Sequence, residues 1–86
     1  MTTEDIRQAI SEAVGREFTF KGSTKDCHIF KTEPKDNGHY LTFVVQIDNV
    51  AVCSLVEMVD EDEIWDGWLF DVLKYVDNLR AKGFKR

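Results

Sequence analysis

The chain offers two thiols and two imidazoles, Cys27, Cys53, His28 and His39. Their spacing matches no zinc-binding pattern. Cys27 and His28 are neighbours in a stretch that reads as a strand, so their side chains point to opposite faces. Buried thiols and surface imidazoles are the better account, and neither a metal nor a cofactor is expected. Nucleophilic chemistry is no better served. Ser54 lacks the Gly-x-Ser-x-Gly elbow. Cys53 lies mid-strand with no base beside it, in an acidic half that does not favour a thiolate. Gly22-Ser23 belongs to no phosphate-binding glycine pattern. Carboxylates are dense between Asp60 and Asp66, but solvated acids at a helix start are common and nothing marks one as desolvated. The chain therefore reads as a binding protein and not as an enzyme.

Charge gives that binding a direction. Residues 1–35 carry six Lys/Arg and six Asp/Glu and are neutral. Residues 36–73 carry no Lys or Arg against nine acids: Asp36, Asp48, Glu57, Asp60, Glu61, Asp62, Glu63, Asp66 and Asp71. Residues 74–86 are basic again through Lys74, Arg80, Lys82, Lys85 and Arg86, opposed by Asp77 alone. A nine-acid block repels nucleic acid and membrane phosphates and favours a basic protein surface. A solvated surface that serves solubility is the plainer alternative.

The elements that would hold these groups can be read along the chain, taken as a single domain over residues 1–86 with a basic tail at about 82–86. Residues 3–14 form a short helix, capped by Thr2 or Thr3, with Glu4 and Asp5 in the first turn. Ile6, Ala9, Ile10, Ala13 and Val14 make its apolar stripe, and Gly15 suits the left-handed stop. Strands are expected at 17–21 and 27–32, with turn chemistry at 33–38. Strands at 39–47 and 50–59 then flank a two-residue Asp48-Asn49 turn. That turn pairs Val45 with Val52, Phe43 with Ser54 and Leu41 with Val56, and leaves Tyr40 and Glu57 together on the wetter face. Residues 62–81 read as a long helix, with Ile64, Trp65, Trp68, Leu69, Val72, Leu73, Tyr75, Val76 and Leu79 in one apolar arc. The fold class is α+β: a two-layer sandwich of order α-β-β-β-β-α, an antiparallel sheet with both helices on one face.

On the last helix Phe70 falls outside the arc, among Glu63, Asp66, Lys74 and Asp77. A large aromatic ringed by charge is the kind of anchor that interfaces use, although a loop or the tail could equally cover it. The candidate partner-binding surface is thus Asp60, Glu61, Asp62, Glu63, Asp66 and Phe70. No apolar run reaches the ~20 residues that span a bilayer. Met1–Asp5 is polar with no apolar stretch behind it, so a soluble cytoplasmic protein is expected.

The element order is close to that of double-stranded-RNA-binding domains, which it resembles in topology. That resemblance would imply lysines at the start of the final helix to grip phosphates; here the position reads Asp60-Glu61-Asp62-Glu63, so direct nucleic-acid binding is not expected. A second resemblance rests on the short N-terminal helix, Glu17-Phe18-Thr19-Phe20-Lys21-Gly22, the hairpin Lys35-Asp36-Asn37-Gly38-His39-Tyr40 and the acidic C-terminal half. In these the chain looks like the small phage-encoded anti-CRISPR proteins that block Cas9-type nucleases, from which it departs in its basic last dozen residues. The resemblance implies an inhibitor in the host cytoplasm whose acids, Asp60 to Glu63 and Asp66, occupy a groove that holds DNA phosphates. The alternative is a bacterial accessory or adaptor protein that forms a homodimer through its C-terminal helix and Phe70.

Overall fold

The structure is a computed structural model. It describes residues 1–59, 62–65 and 71–85, with positions 62–65 described as backbone only.

The N-terminal helix forms where its caps and stripe require. α1 spans Thr3–Val14. Thr2 and Asp5 close a capping box, each side chain accepting from the other's backbone N–H at 3.2 and 3.1 Å. Gly15, at φ 81°, ends the helix and donates its N–H to the Ser11 carbonyl. A residue with a Cβ strains at that φ. Ile6, Ala9 and Ile10 are buried. Ser11 and Arg7 fasten the helix to the strand that follows. The Ser11 hydroxyl accepts from the Phe18 N–H at 3.0 Å. Arg7 donates to the Phe18 carbonyl at 3.2 Å and also pairs with Glu4 and Glu17.

Among the described residues, five strands build one sheet in sequence order: β1 (Phe18–Ser23), β2 (Cys27–Thr32), β3 (His39–Gln46), β4 (Cys53–Val59) and β5 (Asp62–Trp65). All neighbours are antiparallel. The last element is α2, Val72–Ala81. The chain is thus α+β with an open antiparallel sheet between two helices in sequence. One core unites both helices with a single sheet face. Phe20, Phe30, Phe43 and Leu55 lie abreast across β1 to β4. The last three are buried with Phe18, Ile6, Ile10, Tyr75 and Leu79. Phe43 meets Tyr75 edge-on at 5.1 Å, a favoured aromatic geometry. Asn78 of α2 donates to the Ala9 carbonyl of α1 at 3.0 Å.

Two expectations are corrected. The first is the β3–β4 register, which pairs Val45 with Cys53, Phe43 with Leu55 and Leu41 with Glu57. Residues 47–52 form a longer loop in place of a two-residue turn. Within it the Asn49 side chain accepts from the Ala51 N–H at 3.2 Å, and the Asn49 carbonyl accepts from the Val52 N–H at 2.9 Å. A one-residue slip turns every β4 side chain over. It buries Leu55 at 1% exposure and leaves Ser54 outside. Tyr40 and Glu57 consequently lie on opposite faces.

The second correction concerns the long helix expected over 62–81, whose first turn is instead strand β5. Its register pairs Val59 with Asp62, Met58 with Glu63 and Glu57 with Trp65, with an irregularity between Glu57 and Met58. Ile64 and Trp65 are good strand formers, and Gly67 inside a helix would cost about 1 kcal/mol. The effective N-cap is Asp71, whose carboxylate accepts from the Lys74 N–H at 2.9 Å. On α2, Tyr75 and Leu79 are buried as expected, whereas Leu73, placed in the apolar arc, is 77% exposed.

Candidate functional site

Of the acidic surface expected to bind a partner, Asp62 and Glu63 fall within the described backbone. Both sit on β5, the edge strand of the sheet. Asp60, Glu61, Asp66 and Phe70 lie outside the described residues, as do Trp68 and Leu69. The correction to β5 changes how the two placed acids are carried. Both acids are thus strand residues and not members of a helix's first turn. The sheet also has an electrical direction. Lys21 and Lys31 lie on β1 and β2, while β3, β4 and β5 contain no Lys or Arg.

A second constellation comes together at the end of the sheet beside α1. His39 opens β3 and Glu57 lies on β4, two positions from the residue directly opposite; side chains at such diagonal positions reach one another. Nδ1 of His39 and Oε1 of Glu57 are 2.8 Å apart. Both side chains are partly buried, at 34% and 26% exposure. The carboxylate fixes Nδ1 as the protonated nitrogen and leaves Nε2 for another partner. The pair lines a cleft of about 160 Å³ together with Val14, Leu41, Arg16 and Lys35.

Two local structures place these cations. Arg16 follows the Gly15 helix stop, and its Nη2 donates to the Glu33 carbonyl at 3.1 Å, not to Glu12 at the i−4 position. Lys35 lies in the β2–β3 turn, where its N–H bonds the His39 carbonyl and its own carbonyl accepts from Gly38, both at 2.8 Å. Sequence reasoning weighed His39 as a metal ligand and Glu57 as a surface acid, and did not join them. The residues alone could not join them: the two share a face in the observed register, with Leu41 opposite Glu57, and not in the expected one.

A third contact joins Ser23 Oγ and His28 Nδ1 at 2.6 Å, with the Phe20 ring edge-on to the imidazole. Among the described residues, no carboxylate bonds His28, so this hydroxyl–imidazole contact has no orienting acid. Cys27 and Cys53 are free and half-buried, and desolvation pushes the Cys53 thiol up to about 11. Among the described residues, no three His, Cys, Asp or Glu side chains converge as metal ligands do. No described helix is long and apolar enough to cross a membrane.

Compared with protein-family models, curated proteins and solved structures, the chain finds no match in any of the three.

Proposed function

We propose that this protein is a non-catalytic binding protein whose acidic β5 edge and adjoining segment occupy a basic, nucleic-acid-binding surface of another protein. The observation that supports the reading is the sheet order. It puts Asp62 and Glu63 on β5, an edge strand, at the end of three successive strands without a single Lys or Arg. An edge strand is where charge is most exposed to another molecule, and charge there also guards against unwanted strand pairing. A phosphate-binding groove presents Lys and Arg at close intervals, so a run of carboxylates competes with the polyanion it serves. The resemblance to anti-CRISPR proteins supports a Cas9-type nuclease as the first partner to test.

The test is competition. Fluorescence anisotropy of labelled duplex DNA on a guide-loaded Cas9-type nuclease should fall as the protein is added, and added salt should weaken the effect. Replacing Glu61, Asp62, Glu63 and Asp66 by Lys should abolish it while the circular dichroism spectrum is kept. A reversed variant that competes as well as the parent would sink the acidic-edge reading.

One observation favours a second reading, a homodimer through α2. Leu73 is 77% and Val72 44% exposed, both in the first turn of that helix. Sedimentation equilibrium of the parent and of Leu73→Asp decides it: a dimer should dissociate in the variant.

A further inference from the structure

The cleft between the end of α1, the β2–β3 turn and the His39–Glu57 pair is not needed for the acidic-edge function, and its chemistry is of the opposite sign. We propose that it is a binding site for a phosphate dianion, free or as a monoester.

Three residues able to donate line it from three separate segments: Arg16 from the α1–β1 link, Lys35 from the β2–β3 turn and His39 from the start of β3. Arg16 spends one N–H on the Glu33 carbonyl, and a guanidinium has five. Among the described residues, the Lys35 ammonium bonds nothing. Among the described residues, Glu57 is the one acid lining the cleft, and its carboxylate is engaged by His39 Nδ1. Arg16 and Lys35 bring two positive charges to the lining, the number carried with opposite sign by a phosphate dianion. The His39 ring nitrogen that Glu57 does not engage is left for the ligand.

Geometry favours phosphate over carboxylate. Donors arriving from three segments suit a group with three free oxygens, whereas a planar carboxylate is satisfied by the guanidinium fork alone. The cleft is small, about 160 Å³, and Val14 and Leu41 flank it, which suits a site for one phosphate group.

The probes are inorganic phosphate and phenyl phosphate, titrated into the ¹⁵N-labelled full chain with acetate and sodium chloride at matched ionic strength as controls. Saturable shifts should centre on the amides of Arg16, Lys35, His39 and Glu57 with phosphate and not with acetate or chloride. Tighter binding of phenyl phosphate identifies an ester as the ligand; equal or tighter binding of the inorganic ion identifies free phosphate. Arg16→Gln and His39→Gln should each weaken binding by about tenfold to a hundredfold, the loss of one charge-assisted hydrogen bond. Lys35→Gln tests the third donor at an exposed turn position, where folding is not at stake. The proposal fails if shifts do not saturate, if chloride or acetate reproduces them, if they centre on Lys21 and Lys25 instead, or if the three variants bind like the parent.

Discussion

The Tyr75 hydroxyl donates to the Val50 carbonyl across 2.7 Å, in a site buried from solvent. That bond joins α2 to the β3–β4 loop, two parts of the chain 25 residues apart. It also explains why this connection is a loop and not a tight turn. Val50 is 8% exposed and belongs to the core, and its carbonyl would be a buried acceptor without a donor if Tyr75 were absent. A two-residue turn would have kept both groups at the sheet's end and set the other register.

Tyr75→Phe should therefore destabilise the fold although its ring contact with Phe43 survives. The cost of leaving a buried carbonyl unpaired is about 1–3 kcal/mol. Urea unfolding measures it, and a variant as stable as the parent would mean that water or another donor reaches Val50.

Two threonines should respond to the same substitution with opposite signs. Thr32 is buried, and its hydroxyl accepts from the Leu41 N–H at 2.9 Å. Thr42 Oγ1 is also buried but finds no partner among the described residues. Thr32→Val should cost about 1–3 kcal/mol through the orphaned amide, whereas Thr42→Val, which removes an unpaired hydroxyl, should stabilise by about 1 kcal/mol. On a chain of this size 1 kcal/mol moves the melting temperature by roughly 4–8 °C, so calorimetry resolves both.

The contrast marks what was legible in the sequence. α1 was, because capping box, stripe and Gly15 all speak locally. The strands β1 and β2 and the turn between β2 and β3 were legible for the same reason, through alternation and turn residues. The β3–β4 register was not. It is decided by whether Val50 is buried under a helix that lies 25 residues further on, and the Asp48-Asn49 pair suits either connection. β5 was missed because its apolar residues, Ile64 and Trp65, fit a helical arc as well as a strand. Only pairing with β4 separates the two. The candidate site suffered accordingly. The acids could be listed but Asp62 and Glu63 not placed on a strand, and His39 and Glu57 could not be joined without the register.

Gly22 tests a purely conformational cost. It sits where β1 slips against β2, between the pairs Phe20–Phe30 and Gly22–Ile29, at φ 130°. A Cβ built there meets nothing within 4 Å. Any penalty for Gly22→Ala hence comes from the backbone alone, on the order of 1–3 kcal/mol. If urea unfolding shows no loss, the bulge is free to relax. A larger loss would mean that the slip sets the whole β1 register and, with it, the Ser23–His28 contact.

Alkaline pH should weaken the fold through Cys53. Burial raises its thiol from 9.0 to about 11, because a thiolate is poorly solvated there. Below pH 9 both folded and unfolded chains keep the proton, and the group has no effect. Between about 9 and 11 the unfolded chain has released it while the folded chain still holds it. Unfolding then releases a proton, so stability falls as pH rises through that window. Tyr75, raised above its ordinary value by burial and next by the nearby Cys53, acts with the same sign at higher pH. The urea midpoint should be flat from pH 7 to 8.5 and drop by pH 10.5, with a smaller drop in Cys53→Ala. Iodoacetamide labelling read by mass spectrometry gives the independent check. At pH 8 the folded chain should leave Cys53 largely unmodified, and rapid labelling there would show that the thiol is not desolvated.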